Sequence, residues 1–184
     1  MARTSITALY NAATTTFADN AVGAITPALL RNFLHDFLDT IRPIYGGLQK
    51  SSPLAEALTT TDQPFPWTAA IAAPTADYST VLGTGLITRT VGPAGAQVNF
   101  SIDAQAPNNS ITTFVLYIDG VITPWAISNT STSGTDLLSF AFSAVQRSNA
   151  ASPTYQIRAR SNGNNSVTLS NGIFTVLDVP LNVP

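Results

Sequence analysis

Phe114-Val115-Leu116-Tyr117-Ile118-Asp119-Gly120-Val121-Ile122 is the stretch on which the fold turns. Five β-forming residues run into Asp-Gly, and β-formers resume at once. A two-residue type I′ turn needs positive φ at both central positions, which Asp-Gly accepts, so the spacing predicts a β-hairpin closed at 119–120. The same material recurs on both sides. Val98, Phe100 and Ile102 alternate with Asn99, Ser101 and Asp103. Phe140 and Phe142 alternate with Ser139, Ala141 and Ser143, and Tyr155, Ile157 and Ala159 with Gln156, Arg158 and Arg160. Period-2 alternation marks half-buried strands. Strands are expected near 67–73, 80–91, 96–104, 111–119, 121–128, 136–147, 154–161, 166–170 and 172–179. Asn171-Gly172 gives a second two-residue turn signal between the last two. About nine short strands at this spacing mean a β-sandwich, in particular a jelly roll, over residues 67–184.

Composition agrees. The chain has 184 residues, and its charged residues make up only 10%, against a usual figure of about 25%. In their place stand 25 Thr, 16 Ser and 13 Asn, residues that suit strands and turns. Many chemistries are excluded. There is no Cys, hence no disulfide, thiolate metal site or cysteine nucleophile. His35 is the single histidine, Lys50 the single lysine and Glu56 the single glutamate. A net charge of −2 with eight scattered cations gives no nucleic-acid footprint. No apolar run approaches the ~20 residues of a membrane span, and residues 1–24 do not read as a secretory leader. The expectation is a non-enzymatic protein without cofactor or metal, binding no nucleic acid and inserting in no membrane.

Upstream of the sandwich the chain reads as two further parts. Residues 1–47 comprise an extended arm with β-type runs at 6–10 and 14–17, then an amphipathic helix. Thr26 is a good N-cap, Pro27 fits the first helical position, and Ile25 with Leu30 makes a hydrophobic staple. Leu29, Leu30, Phe33, Leu34, Phe37, Leu38 and Ile41 fall on one helical face, with Arg31, Asn32, His35, Asp36 and Asp39 opposite. Pro43 ends the helix, and Gly46 and Gly47 break any continuation. Each large side chain on that stripe gains about 1.5–3 kcal/mol from burial. The stripe must therefore pack, either on its own domain or in an assembly. The second is favoured because residues 48–66, with their Pro and Ser, read as a linker with one helical turn near 53–58. A sandwich starting near residue 62 is then expected to fold alone.

The segment Gly23-Ala24-Ile25-Thr26-Pro27-Ala28-Leu29-Leu30-Arg31-Asn32-Phe33-Leu34-His35-Asp36-Phe37-Leu38-Asp39-Thr40 resembles an N-terminal segment common in tailed-bacteriophage virion proteins, G-x-I-T-P-x-x-L-R-x-F-L-x-D-L-x-D-S. It departs at Phe37, where Leu is usual, and at Thr40, where Ser is usual. The pattern from Phe114 to Val121, with Tyr155 to Arg160 and Val167 to Leu177, resembles the trimeric tumour-necrosis-factor-like jelly rolls at phage fibre tips. The resemblance implies a homotrimeric virion structural protein, a head fibre, capsid decoration spike or short tail-fibre component. Ile25, Leu29, Leu30, Phe33, Leu34, Phe37, Leu38 and Ile41 would then knit the trimer or dock on another virion protein. Its partners would be itself, that capsid or tail protein, and a host cell-surface molecule. An adhesin reading places the last contact on loops near 105–110, 129–135 and 148–153, at Asn108, Asn109, Asn129, Ser131 and Asn149.

Few residues could carry chemistry. His35 and Asp39 share a helix face, but a solvated polar face explains them. Asp103, Asp119 and Asp136 could serve a polysaccharide hydrolase only if two of them meet, or bind calcium only with further oxygens. Arg158 and Arg160, two apart on one strand face, would meet an anionic partner or pair with an Asp on the next strand. Trp67, Trp125 and Tyr78 are expected to pack in the core or at a trimer interface rather than to form a sugar-binding platform.

Overall fold

The computed structural model describes residues 11, 30–35, 37, 45–71, 77–90 and 94–179. The chain divides into two units, 1–43 and 44–184. In the first, residues 30–35 and 37 are helical, as the 3.6-residue pattern requires. Of the arm only Asn11 is described, and it is helical, not extended; the rest of the arm, with its β-type runs at 6–10 and 14–17, and Ile25, Leu29, Leu38 and Ile41 lie outside the described residues.

The second unit is a sandwich of two antiparallel sheets. Its strands are β1 (Tyr45–Lys50), β2 (Leu54–Leu58), β3 (Gln63–Pro64), β4 (Ala69–Ala70), β5 (Tyr78–Val81), β6 (Leu86–Arg89), β7 (Ala94–Gln105), β8 (Ile111–Ile118), β9 (Val121–Thr130), β10 (Leu137–Ser148), β11 (Thr154–Ser161) and β12 (Asn165–Val179). One sheet, here called the A sheet, runs β10-β7-β12-β1-β4, with β2 also paired to β12. The other, the B sheet, runs β5-β6-β11-β8-β9, with β3 paired to β11. The alternating residues meet between them. Val98, Phe100, Ile102, Phe140 and Phe174 from the A sheet face Ile87, Phe114, Leu116, Tyr155 and Ile157 from the B sheet, all buried. Phe114 lies at the centre, its ring 4.8 Å from Phe140, 5.3 Å from Phe100 and 5.8 Å from Phe65.

The hairpin at 119–120 forms as the sequence requires, with φ of 53° at Asp119 and 75° at Gly120. Three expectations need correction. Residues 48–66 are not a linker but hold the end of β1, then β2 and β3, and the helical turn expected near 53–58 is the strand β2. Phe65, in that segment, and Trp67, just beyond it, are core residues stacked at 5.4 Å. The cause is burial: two aromatic rings draw the segment onto the sandwich despite its prolines. Gly46 does not stop a helix; it lies in β1, where a Cβ would sit 2.7 Å from Ile87 Cγ2, so glycine permits close approach of the sheets. Asn171-Gly172 makes no hairpin. Asn171 has φ 48°, but the register slips between Ser170 and Ile173 and a single strand continues past a bulge. Long pairing with β7 on both sides of the bulge outweighs the local turn preference.

Candidate functional site

The three aspartates are used locally and apart. Asp103, on β7, accepts from Ser139 Oγ at 2.7 Å and Asn171 Nδ2 at 3.0 Å. Asp119 accepts from the Ser148 hydroxyl and from Thr154 N at 2.8 Å, which fixes the hairpin turn. Asp136 closes its own loop on Thr132 and Ser133, and the Thr132 hydroxyl holds its carboxyl below the usual carboxylate range. Among the described residues no group of three His, Asp or Glu could hold a metal ion. His35 is exposed, and Asp39 lies outside the described residues.

Trp67, Tyr78 and Trp125 make no sugar platform, and core packing holds for the first two. Trp67 and Tyr78 are buried and Trp125 is exposed on β9. Tyr78 instead donates to Asp178 on β12, which also takes Arg89 in a two-nitrogen ion pair, Nε to Oδ1 at 3.0 Å and Nη2 to Oδ2 at 2.8 Å. This cluster ties β5 and β6 of the B sheet to β12 of the A sheet. Burial, and then the bond to Asp178, push the Tyr78 phenol far up. The single lysine and single glutamate also meet: Lys50, fully buried, lies 3.3 Å from Glu56 and donates to Pro66 O at 2.8 Å. That pair holds the 50–66 segment to β1.

The loop residues divide between the ends of the sandwich. Asn108, Asn109 and Asn129 are exposed at one end, where Asn109 N donates to Ser131 O at 2.8 Å. Ser131 is buried and cannot face a receptor; its hydroxyl bonds Ala106 O and Ser133 O and staples two loops together. Asn149 is exposed beside Ser148, whose hydroxyl reaches the 119–120 turn at the opposite end. The five residues do not make one tip.

Two apolar surfaces are open. On the helix, Leu30, Leu34 and Phe37 are 43%, 48% and 42% exposed, and Phe33 is half-buried. On the sandwich, the outward face of the A sheet carries Ile173, Thr175, Ser101, Asn99, Ala141 and Val145, with Ile173 and Val145 exposed. The neighbouring edge strands β9 and β10 expose Val121, Ile122, Trp125 and Leu137.

The outward face of the B sheet is different. Arg160 Nη1 donates to Asp62 Oδ1 at 2.6 Å, and Tyr117 Oη donates to Asp62 Oδ2 at 2.8 Å. The Arg158 guanidinium stacks 4.1 Å above the Tyr117 ring, and its Nε donates to Gln156 Oε1 at 2.7 Å. So one arginine is paired and the other stacked. The partner aspartate comes from the segment between β2 and β3, not from the adjacent strand. The strand alternation gave both arginines; Asp62 was hidden because its segment carried no strand signal.

The sandwich is of the tumour-necrosis-factor and complement-C1q jelly-roll type. Among solved structures, the chain is similar to Eiger TNF from S. frugiperda, with 13% identity over 76% of this chain and 94% of that one, at a TM-score of 0.57. The globular domain of zebrafish complement 1qA matches over 77% of this chain and all of its own, at 13% identity and a TM-score of 0.52. Murine APRIL matches over 75% of this chain and all of its own, at 10% identity and 0.53. At such identities the likeness establishes the fold. In sequence, neither a family model nor a curated protein matches the chain.

Proposed function

We propose that the protein is a non-enzymatic, homotrimeric structural component of a tailed-phage particle, attached through its N-terminal region. It would be a head fibre, a capsid decoration spike or a short tail-fibre component. The observation that carries this reading is the pair of open apolar surfaces, one on the 30–37 helix and one on the A-sheet face and its β9–β10 edge. The phage-like segment 23–40 and the jelly roll support it. The edge and the face differ in shape, so copies would pack head-to-tail, edge on face, and such packing closes into a ring when the rotation allows. A chain whose work is assembly needs no acid pair.

A second reading, a host-binding adhesin, draws support from the exposed Asn108, Asn109 and Asn129 at one end of the sandwich. Exchange of those loops separates the two: lost cell binding with an unchanged oligomer favours the adhesin.

Light scattering of the full chain tests the proposal. A mass of about 58 kDa, three times 19.3 kDa, is expected. Phe33→Asp is expected to lower that mass or to abolish attachment to particles, with the β circular-dichroism signal retained. A monomer of 19.3 kDa in the unmodified protein overturns the trimer. Absence of the chain from purified particles of its source, by mass spectrometry, overturns the virion placement.

A further inference from the structure

We infer that the outward face of the B sheet holds a binding site for a carboxylated saccharide, centred on Arg158. This goes beyond the assembly reading and does not depend on it.

The argument begins with what Arg158 lacks. Its Nε is committed to Gln156, and its plane rests on Tyr117. Its two terminal nitrogens have no acceptor among the described residues, although the side chain is only half-exposed. Everything around it is committed. Gln156, itself buried, donates to Thr84 O at 2.9 Å. Tyr117 is held by its hydroxyl on Asp62, and Asp62 is held by Arg160. The guanidinium is thus clamped on its face and on one edge, and the remaining edge is a planar fork fixed before any ligand arrives. A fork of that shape matches the two oxygens of a carboxylate, and prior ordering removes much of the entropy cost of binding.

Charge selects the ligand further. Asp62 cancels Arg160, so the cluster keeps one net positive charge. A nucleic-acid backbone or a highly phosphorylated ligand asks for several cations. A carboxylate asks for one. An exposed threonine lies close by: Thr84 O accepts the amide of Gln156, the residue that holds Arg158, at 2.9 Å. A clamped arginine with an exposed threonine close by suits a sugar ring that bears a carboxyl group, such as a uronic or sialic acid.

The test uses 15N-labelled full-length protein. Arginine Nε–Hε resonances are followed during titration with tri-galacturonic acid and with 3′-sialyllactose. Lactose serves as the neutral comparison and acetate as the bare anion. At least one acidic saccharide is expected to shift the Arg158 resonance saturably, binding about tenfold or more tightly than acetate, with no shift from lactose. Arg158→Lys keeps the charge and loses the fork, and it is expected to weaken binding by about tenfold or more with an unchanged melting temperature. Arg160→Gln leaves Asp62 uncompensated beside the site and is expected to weaken binding by several-fold. No shift from either acidic saccharide overturns the site. So does equal binding of acetate or lactose, or undiminished affinity in both variants.

Discussion

The two outward faces of the sandwich are built from the same strand geometry and opposite chemistry. The A-sheet face carries little charge: Asn99, Ser101, Thr175 and Ala141 surround the exposed Ile173, Asp103 is satisfied by Ser139 and Asn171, and Arg147 stands exposed on β10 at the end of the sheet opposite Asp103. The B-sheet face gathers Arg158, Arg160, Asp62 and Tyr117 into one network. Small uncharged side chains let a second protein surface approach without stripping water from ions, which is costly. Ion pairs and a stacked arginine, in contrast, are at home in water. Under the proposed trimer, the first face would serve self-association and the second would face solvent and whatever the solvent carries.

The largest effect should come from removing part of one face. A chain starting near residue 62 keeps β11 and β8 of the B sheet but loses β1, which lies between β12 and β4, and β2. It also loses Lys50, the buried partner of Glu56 and Pro66. Such a truncation is expected not to fold, contrary to what the linker reading of 48–66 implied. Soluble expression with a cooperative melt would show that β1 is dispensable. Next in size is a charge on the A-sheet face. Ile173→Asp is expected to reduce the oligomer to 19.3 kDa by light scattering while leaving the fold intact. Thr88→Asp, on the B-sheet face, should leave the mass unchanged. Equal effects of the two substitutions would erase the distinction between the faces.

Smaller still is Asp62→Asn. The amide cannot ion-pair with Arg160, though it can still accept from Tyr117. Arg160 is more than a third exposed, so solvent screens the pair and the loss should be about 1 kcal/mol by urea unfolding, with no change in oligomer. A loss of oligomer would mean that the B-sheet face is an interface after all.

These contrasts were only partly legible in the sequence. Strands β7, β10 and β11 followed from period-2 alternation because each has a more buried and a more exposed face, while β8 and β9 followed from the β-forming runs on either side of Asp119-Gly120, whose turn followed from residue chemistry alone. The helical residues 30–35 and 37 were legible from 3.6-residue spacing of apolar side chains. The failures share a cause. β1 contains Gly46 and Gly47, β2 is Leu54-Ala55-Glu56-Ala57-Leu58, and β3 is two residues long. Their local preferences are weak or helical, and long-range pairing with β12 and β11 decides their state. Asp62 belongs to that segment, so the network on the B-sheet face could not be assembled from spacing. Ser131 looked like a loop-surface residue because nothing local reveals that two loops close over it.

The smallest expected effect concerns what joins the two sheets. Tyr155, on β11, is fully buried, and its hydroxyl has no hydrogen-bond partner among the described residues. Burial, reinforced by the negative charges of Asp178 and Asp119, pushes its phenol up from 10.0 to about 12. The folded state thus holds the proton more tightly than the unfolded one. Below pH 10 both states are protonated and the stability is fully present. Between pH 10 and about 12 the unfolded chain loses the proton first, so stability falls as pH rises. Tyr155→Phe removes both the unpartnered hydroxyl and this alkaline loss. At pH 7 the variant is expected to equal or exceed the parent by about 1 kcal/mol in urea, since an unpaired buried hydroxyl is costly. Its advantage should widen above pH 10, although Tyr78 continues to contribute a loss of its own in the same direction. A Tyr155→Phe protein less stable than the parent at pH 7 would mean that the hydroxyl holds the two sheets together. The joint between the faces would then be wider than the Tyr78–Asp178–Arg89 cluster alone.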